Sequence, residues 1–235
     1  MKYGSSSFST FLVDGVSLLA AKLQGVTHKV ESITEKTDGL GDTSEAHSPV
    51  NMAKASLTQN GGFFDDAVGG MHALLKAGSP AERQLVFSVD GANFTGGFGA
   101  LVTSYEVVSK NATLSKANAA YLLTGAIDTN GVILQNAAQT IDWTGGSTDN
   151  AASSPDGGVA YMHIAALAGL TGFLGFIESS PDNAAWSTLV AFTNVTVAPA
   201  AQRIAFVGTV PRYLRFRGDV TGTGTITVFA GFSRN

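Results

Sequence analysis

The sequence has no cysteine and few charged residues, and each shortage excludes a class of protein. Without cysteine the chain has no disulfide framework, no thiolate metal site and no thiol nucleophile. Charged residues make up 14% of the chain, against about 25% in a typical soluble protein. The net charge of −4 argues against a nucleic-acid-binding surface, which needs clustered Lys and Arg. The chain is also 44% hydrophobic and holds 28 Gly. Together with the low charge, this composition indicates a surface that other copies of the chain largely cover. The alternative is a Gly-rich β protein with Ser and Thr on its outside.

Motifs for catalysis and metal binding are also missing. The four His residues are scattered without metal-ligand spacing, and His72 and His163 are interpreted as structural histidines. No Ser lies in a Gly-x-Ser-x-Gly elbow, and the glycine cluster at 96–99 lacks the Lys of a phosphate-binding loop. The sequence thus predicts a protein that is not an enzyme and uses no metal or cofactor.

The first apolar run is residues 11–13, which Asp14 interrupts. This run is too short for a signal peptide core and far too short to span a bilayer. We therefore expect a protein made and retained in the cytoplasm, without a membrane partner.

Alternating apolar residues separated by Gly, Pro, Asn and Asp turns predict a mainly β protein. We expect a β-sandwich or barrel with one flanking α-helix, and possibly two related β halves. The runs at 161–166 and 172–178 are predicted as separate strands, as are those at 213–217 and 224–232. Residues 55–61 alternate in the manner of an edge strand.

The predicted helix covers residues 65–77. Asp65 is its expected N-cap, because a carboxylate there accepts the free amides of the first turn. Val68, Met71 and Leu75 give it an apolar stripe at helical spacing.

The predicted organisation divides the chain into three parts. Residues 1–143 form an N-terminal β half, residues 144–158 are a linker or exposed loop rich in Gly, Ser and Asn, and residues 159–235 form a C-terminal β half. Within the first half, residues 30–54 are polar and show no clear element. Loops of this length are usually functional or mobile, since median connections are about 4–6 residues.

The last third of the chain reads as a diverged copy of residues 84–133. A shift of 92 places puts Asp90 on Asp182 and Tyr121 on Tyr213, and it also pairs two aromatic residues that follow the turns. Each copy has an apolar run, a turn and then an aromatic anchor. A true duplication would give a ring of three chains pseudo-sixfold symmetry.

Four residues of the last third are candidates for a binding face. Tyr213, Arg215 and Arg217 alternate on one predicted strand and share a face, which Trp186 could join. An inter-subunit or cross-strand contact is the preferred interpretation. A ladder for sugar binding is the alternative, because aromatic rings and Arg planes stack on sugars and on each other.

Short motifs along most of the chain point to a known family. They are Phe11-Leu12-Val13-Asp14-Gly15-Val16, the acidic stretch from Glu31 to Thr43 that ends near Pro49, Gly62-Phe63-Phe64-Asp65, Tyr213-Leu214-Arg215 and Ala230-Gly231-Phe232-Ser233-Arg234. Together they resemble the tail tube (major tail) proteins of long-tailed bacteriophages. The family's tube domain is usually a single unit in a sixfold ring. If this chain contains two related β halves, the ring could hold either three or six chains.

The resemblance implies a structural virion protein that assembles into stacked rings around a channel for DNA. Residues 30–54 would reach the neighbouring ring; their implied inter-ring contacts are Glu31, Glu35, Lys36, Asp38 and Asp42. The implied partners are other copies, tail terminator, tape-measure and baseplate proteins, and DNA would pass without specific binding. Like charge in an acidic lumen would suit that passage. The implied location is the virion tail, after synthesis in the host cytoplasm.

Two alternatives come from other classes of protein. A capsid decoration or other accessory virion protein would share the β fold and low charge but bind an existing lattice. A carbohydrate-binding or adhesin module would use Trp186, Tyr213 and the nearby arginines.

Overall fold

The computed structural model describes residues 9–21, 23–36, 47–64, 70–76, 82–110, 114–123 and 127–235. This part of the chain is mainly β, as predicted, with all of its strand pairs antiparallel and joined in one hydrogen-bonded network. The first elements are β1 (Thr10–Val13), β2 (Val16–Ser17), a 3-10 turn (Leu18–Ala21), β3 (Gly25–Lys36), β4 (His47–Phe63), α1 (Met71–Leu75), β5 (Arg83–Ser88), β6 (Asn93–Val108), β7 (Lys116–Leu123) and β8 (Ile127–Gln139). The remaining elements are β9 (Trp143–Thr144), β10 (Thr148–Asp149), β11 (Gly158–Ser180), β12 (Ser187–Ala191), β13 (Ala200–Phe206) and β14 (Tyr213–Arg234).

The N-terminal strands pair in the order β2-β1-β5-β6-β7-β4-β3. Their inner face and α1 enclose one core, in which Phe11 meets Tyr121 edge to face with ring centroids 6.3 Å apart. Burial raises the pKa of the Tyr121 phenol, whose hydroxyl donates to Gln59 at 2.9 Å. Two buried polar side chains of this core are thus bonded to each other.

The helix α1 is shorter in the described residues than the predicted 65–77. It begins at Met71, because Gly70 before it is extended, with φ −78° and ψ 171°. Met71 and Leu75, one turn apart, are its buried residues. The predicted N-cap Asp65 and stripe residue Val68 lie outside the described residues.

The prediction of a long loop over residues 30–54 was wrong for the part that the structure describes. Residues 30–36 and 47–54 are paired strands of the β3–β4 hairpin, with Val30 opposite Ala55 and Lys36 opposite His47. The polar sequence is compatible with strands because cross-strand hydrogen bonds satisfy the backbone whatever the polarity of the side chains. Residues 37–46 lie outside the described residues. The expected edge strand at 55–61 is instead internal, since β4 lies between β3 and β7.

The second core is built around two long strands, β11 and β14. The runs predicted as four strands are two, which pair from Gly158 opposite Arg234 to Ser180 opposite Tyr213. Register shifts between Ile164 and Gly172 bend the pair.

The bend folds each long strand back over itself. A Cβ placed on Gly175 would lie 2.7 Å from the sulfur of Met162, thirteen residues earlier in the same strand. The two arms of the pair therefore form facing layers. The β8 and β13 strands extend one layer, and β9, β10 and β12 extend the other. Phe173 and Phe216 pack between them.

Strand pairing, ring contacts and buried polar contacts join the N-terminal and C-terminal cores. The β8 strand, assigned by prediction to the first half, pairs with both β6 and β14. The centroid of the Phe94 ring lies 5.5 Å from the ring centroids of both Tyr161 and Phe229. The Tyr161 hydroxyl donates to Asp128, which also pairs with Arg203 at 3.1 Å. Burial and the adjacent carboxylate raise the pKa of Tyr161.

The predicted linker at 144–158 is mostly exposed, but short strands and a bridge pair it with the second core. The β9 and β10 strands pair with β14, and Ser154 forms a bridge with Val210. The expected division of the chain at this point stays a prediction.

The two turns that define the proposed repeat have similar geometry. Asp90 accepts from the amides of residues 92 and 93, and Asp182 accepts from those of 184 and 185. Gly91 and Asn183 follow them with positive φ, 75° and 63°. The other anchors differ in setting, because Tyr121 is fully buried within β7 while Tyr213 begins β14. Duplication of the whole halves stays a prediction.

Candidate functional site

An array of stacked arginines lies on the outward face of β11 and β14. We call it the arginine rail; its residues are Asp149, Phe176, Glu178, Trp186, Arg212, Tyr213, Arg215, Arg217 and Asp219. Alternation along β14 directs Leu214, Phe216 and Gly218 into the core and leaves the odd-numbered residues outside. The register then places Arg215 opposite Glu178 and Arg217 opposite Phe176.

Each arginine of the rail covers an aromatic ring. The guanidinium carbon of Arg215 lies 4.0 Å from the ring centre of Trp186, and that of Arg217 lies 4.2 Å from Phe176. Arg212 lies 4.9 Å from Tyr213. Cation–π contacts of this kind hold a long side chain flat against the sheet.

Each arginine is also paired with a carboxylate of the same chain. Glu178, whose side chain is only 12% exposed, binds Arg215 at 2.7 Å and Arg217 at 3.2 Å. Asp219 binds Arg217 at 3.2 Å. These pairs neutralise the only dense basic cluster that the sequence shows.

The remaining pair of the rail joins Arg212 to Asp149. It is bidentate, with two bonds of 2.6 Å. The hydrogen bonds from Arg212 and from the amide of Ala151 lower the pKa of Asp149 to about 2.

The structure thus brings together Trp186, Tyr213, Arg215 and Arg217, the four residues expected to form an inter-subunit contact. That role stays a prediction, since the contacts seen are within one chain. Sequence analysis missed the acidic partners. The spacing of the arginines indicated a shared face, but only the register of β11 against β14 identifies Glu178.

Three of the residues expected to form inter-ring contacts, Glu31, Glu35 and Lys36, lie on β3. Glu31 is exposed on β3 and pairs with Lys29 at 2.5 Å. Glu35 and Lys36 lie opposite Ser48 and His47 near the end of the described hairpin. Asp38 and Asp42 lie outside the described residues.

The two histidines interpreted as structural have different settings. His163 is fully buried; its Nδ1 accepts from the Gly15 amide at 3.1 Å, and its Nε2 is buried without a partner. Burial lowers the pKa of His163 to about 3. The Nδ1 of His72 shares a hydrogen bond of 2.8 Å with the Tyr105 hydroxyl.

In the described residues no three His, Asp or Glu side chains are grouped to hold a metal ion. The same part of the chain has no helix that is both long and apolar enough to cross a membrane.

Comparison with known proteins gives likeness of structure only. No family model matches the chain, and no curated protein matches it. Similar solved structures include the tail of an empty GTA particle with C6 symmetry (17% identity, TM-score 0.35, 46% of this chain and 81% of that one). The virion of a native gene transfer agent (GTA) particle gives the same identity and TM-score over 46% and 84%.

A third similar structure is phage SPP1 Dit, described as a hub of the adsorption apparatus in phages that infect Gram-positive hosts. It covers 96% of this chain and 99% of its own, with 10% identity and a TM-score of 0.34. These neighbours are phage tail proteins, the class that the sequence resembles. At TM-scores this low the likeness decides nothing about function, which has to be argued from the residues of this chain.

Proposed function

We propose that this chain is a structural tail protein of a virion that assembles with copies of itself into stacked rings. The observation that carries the proposal is the outer part of the β3–β4 hairpin, residues 31–36 and 47–54, which we call the arm. In the described residues β4 pairs with β7 only from Ala55 onward. Within the described part of the chain, the arm strands therefore pair only with each other.

A free-standing two-stranded ribbon is at best marginally stable in water. The arm spans about six residues of β3, or about 20 Å at the rise of a β-strand. Among the described strands, none pairs with the outer edge of either arm strand, and an unpaired edge favours pairing with another chain. A neighbouring copy that covers the arm would supply the missing contacts.

The composition supports the same proposal. A chain with 14% charged residues has little charge to keep its surface apart from other copies. Large apolar side chains are also exposed on strands, including Val30 at the root of the arm (53% exposed) and Val107 on β6 (42% exposed).

In the full proposal the rings form the tail tube, with three or six chains in each ring. The arm and the residues between its two strands contact the next ring. The contacting residues are Glu31, Glu35, Lys36, Asp38 and Asp42. DNA passes along the channel without specific binding. Tail terminator, tape-measure and baseplate proteins cap and fill the tube, and the chain is made in the host cytoplasm before it enters the virion.

Negative-stain electron microscopy and sedimentation of the concentrated protein test this proposal. We expect tubes or stacked rings with a central hole, whose symmetry gives the ring order. A protein that stays monomeric at high concentration would contradict self-assembly, and binding to preformed capsids instead would favour an accessory virion protein.

An arm deletion makes the test specific. Replacing residues 32–53 with Asn-Gly closes the hairpin at the Glu31–Lys54 pair with a turn suited to two-residue hairpins. The shortened protein should keep its melting temperature and lose stacking. Val30→Asp should weaken stacking as well, whereas Val107→Asp, an equally polar change on another exposed strand, should not. Unchanged stacking after the deletion would exclude the arm as the inter-ring contact.

A further inference from the structure

We propose that the arginine rail is a binding site for a neutral carbohydrate chain. The side chains of the rail are held in place by contacts within the chain before any ligand binds. Arg215 is held by the Trp186 ring beneath it and by Glu178 beside it, and only 25% of its side chain is exposed. Binding therefore costs little of the side-chain entropy that usually opposes recognition by long residues.

The charges of the rail indicate an uncharged ligand. Three arginines face three carboxylates, each pair closed within the chain at 2.6–3.2 Å. A surface that binds nucleic acid or an acidic chain leaves its cations unpaired, because the ligand supplies the counter-charge.

The hydrogen-bonding groups of the rail suit hydroxyls. Arg215 uses Nε and Nη2 on Glu178, which leaves its Nη1 donors unused by that carboxylate. The oxygens of Glu178 and Asp219 accept hydrogen bonds beside them. A sugar hydroxyl both donates and accepts, so neighbouring hydroxyls match a guanidinium beside a carboxylate.

The rings of the rail supply the apolar part of the site. Phe176, Trp186 and Tyr213 are each partly exposed beside the arginine that covers them. The C–H faces of a pyranose pack against the guanidinium planes that cover these rings, and the exposed parts of the rings add apolar surface beside them. Successive outward residues of β14 are about 7 Å apart, so the rail extends far enough to contact several sugar units in a row.

Calorimetric titration of the full-length protein tests the proposal, with cellohexaose, maltohexaose and chitohexaose as the probes. We expect saturable binding of at least one of them with a Kd of about 1 mM or tighter. Trp186→Ala should raise that Kd about tenfold or more. Arg215→Lys keeps the charge but loses the flat plane, and should raise the Kd by a smaller factor. Tyr105→Ala removes a partly exposed ring on β6, which is not part of the rail, and should leave the Kd unchanged.

Three results would overturn the proposal. The first is the absence of binding by all three probes up to about 10 mM, and the second is binding that Trp186→Ala and Arg215→Lys both leave unchanged. The third is stronger binding of hexagalacturonic acid than of every neutral probe, which would assign an acidic ligand. If no probe binds and the rail variants weaken self-association in sedimentation, the rail is a contact between copies.

Discussion

Acidification should destabilise this fold through His163, which the folded chain holds in its neutral form. The imidazole is fully buried, and burial lowers its pKa to about 3 from an ordinary 6.5. Between these values the unfolded chain binds a proton that the folded chain does not, so stability falls as the pH falls through 6.5. From about pH 8 to about pH 5 this linkage amounts to about 2 kcal/mol, and the full loss of about 5 kcal/mol is reached below about pH 3.

Urea unfolding at both pH values isolates this contribution when the wild type is compared with His163→Asn. The Asn carbonyl oxygen can accept from the Gly15 amide as Nδ1 does but does not titrate, while every carboxylate contributes equally to both proteins. The variant should lose about 2 kcal/mol less than the wild type on acidification. Equal losses in the wild type and His163→Asn would refute the reasoning.

Three further substitutions test the packing and the buried polar groups by their effect on urea midpoints. Gly218→Ala should destabilise the fold by about 1–3 kcal/mol, because the new Cβ would lie 2.4 Å from the Trp143 ring; Gly146→Ala, with no atom within 4 Å, should change stability by less than about 0.5 kcal/mol. Arg234→Ala should cost about 1–2 kcal/mol, since its guanidinium donates to four backbone carbonyls. Asp128→Asn should cost about 3 kcal/mol, because it removes the buried carboxylate that pairs with the Arg203 guanidinium at 3.1 Å; an unchanged midpoint in any of these three destabilising variants would contradict the corresponding contact.

The strand content of the fold could be predicted from the sequence, but the length of its strands could not. Alternation along residues 224–232 indicates a strand with one buried face, and the structure confirms it within β14. The break predicted between residues 217 and 224 rests on glycines, which normally end strands. Here Gly222, with φ of 99°, lets a single strand turn a corner and continue.

The sequence predicts the arginine face of the candidate site but not the carboxylates that pair with it. The spacing of Tyr213, Arg215 and Arg217 shows that they share a face, since that depends on a period of two within one strand. Their carboxylate partners lie on another strand, and Glu178 meets Arg215 only because of a register that no local pattern specifies. The same limit explains the arm, where a polar composition typical of a loop belongs to paired strands.

The bent β11–β14 pair has a mechanical consequence. Each strand contributes to both facing layers of the second core, so the layers cannot slide apart without breaking bonds along a continuous stretch of chain. Cross-strand hydrogen bonds lie perpendicular to the strands, and tension applied along β14 therefore loads many of them in shear at once. The second core should yield to force by rupture of the whole pair rather than by unzipping one bond after another.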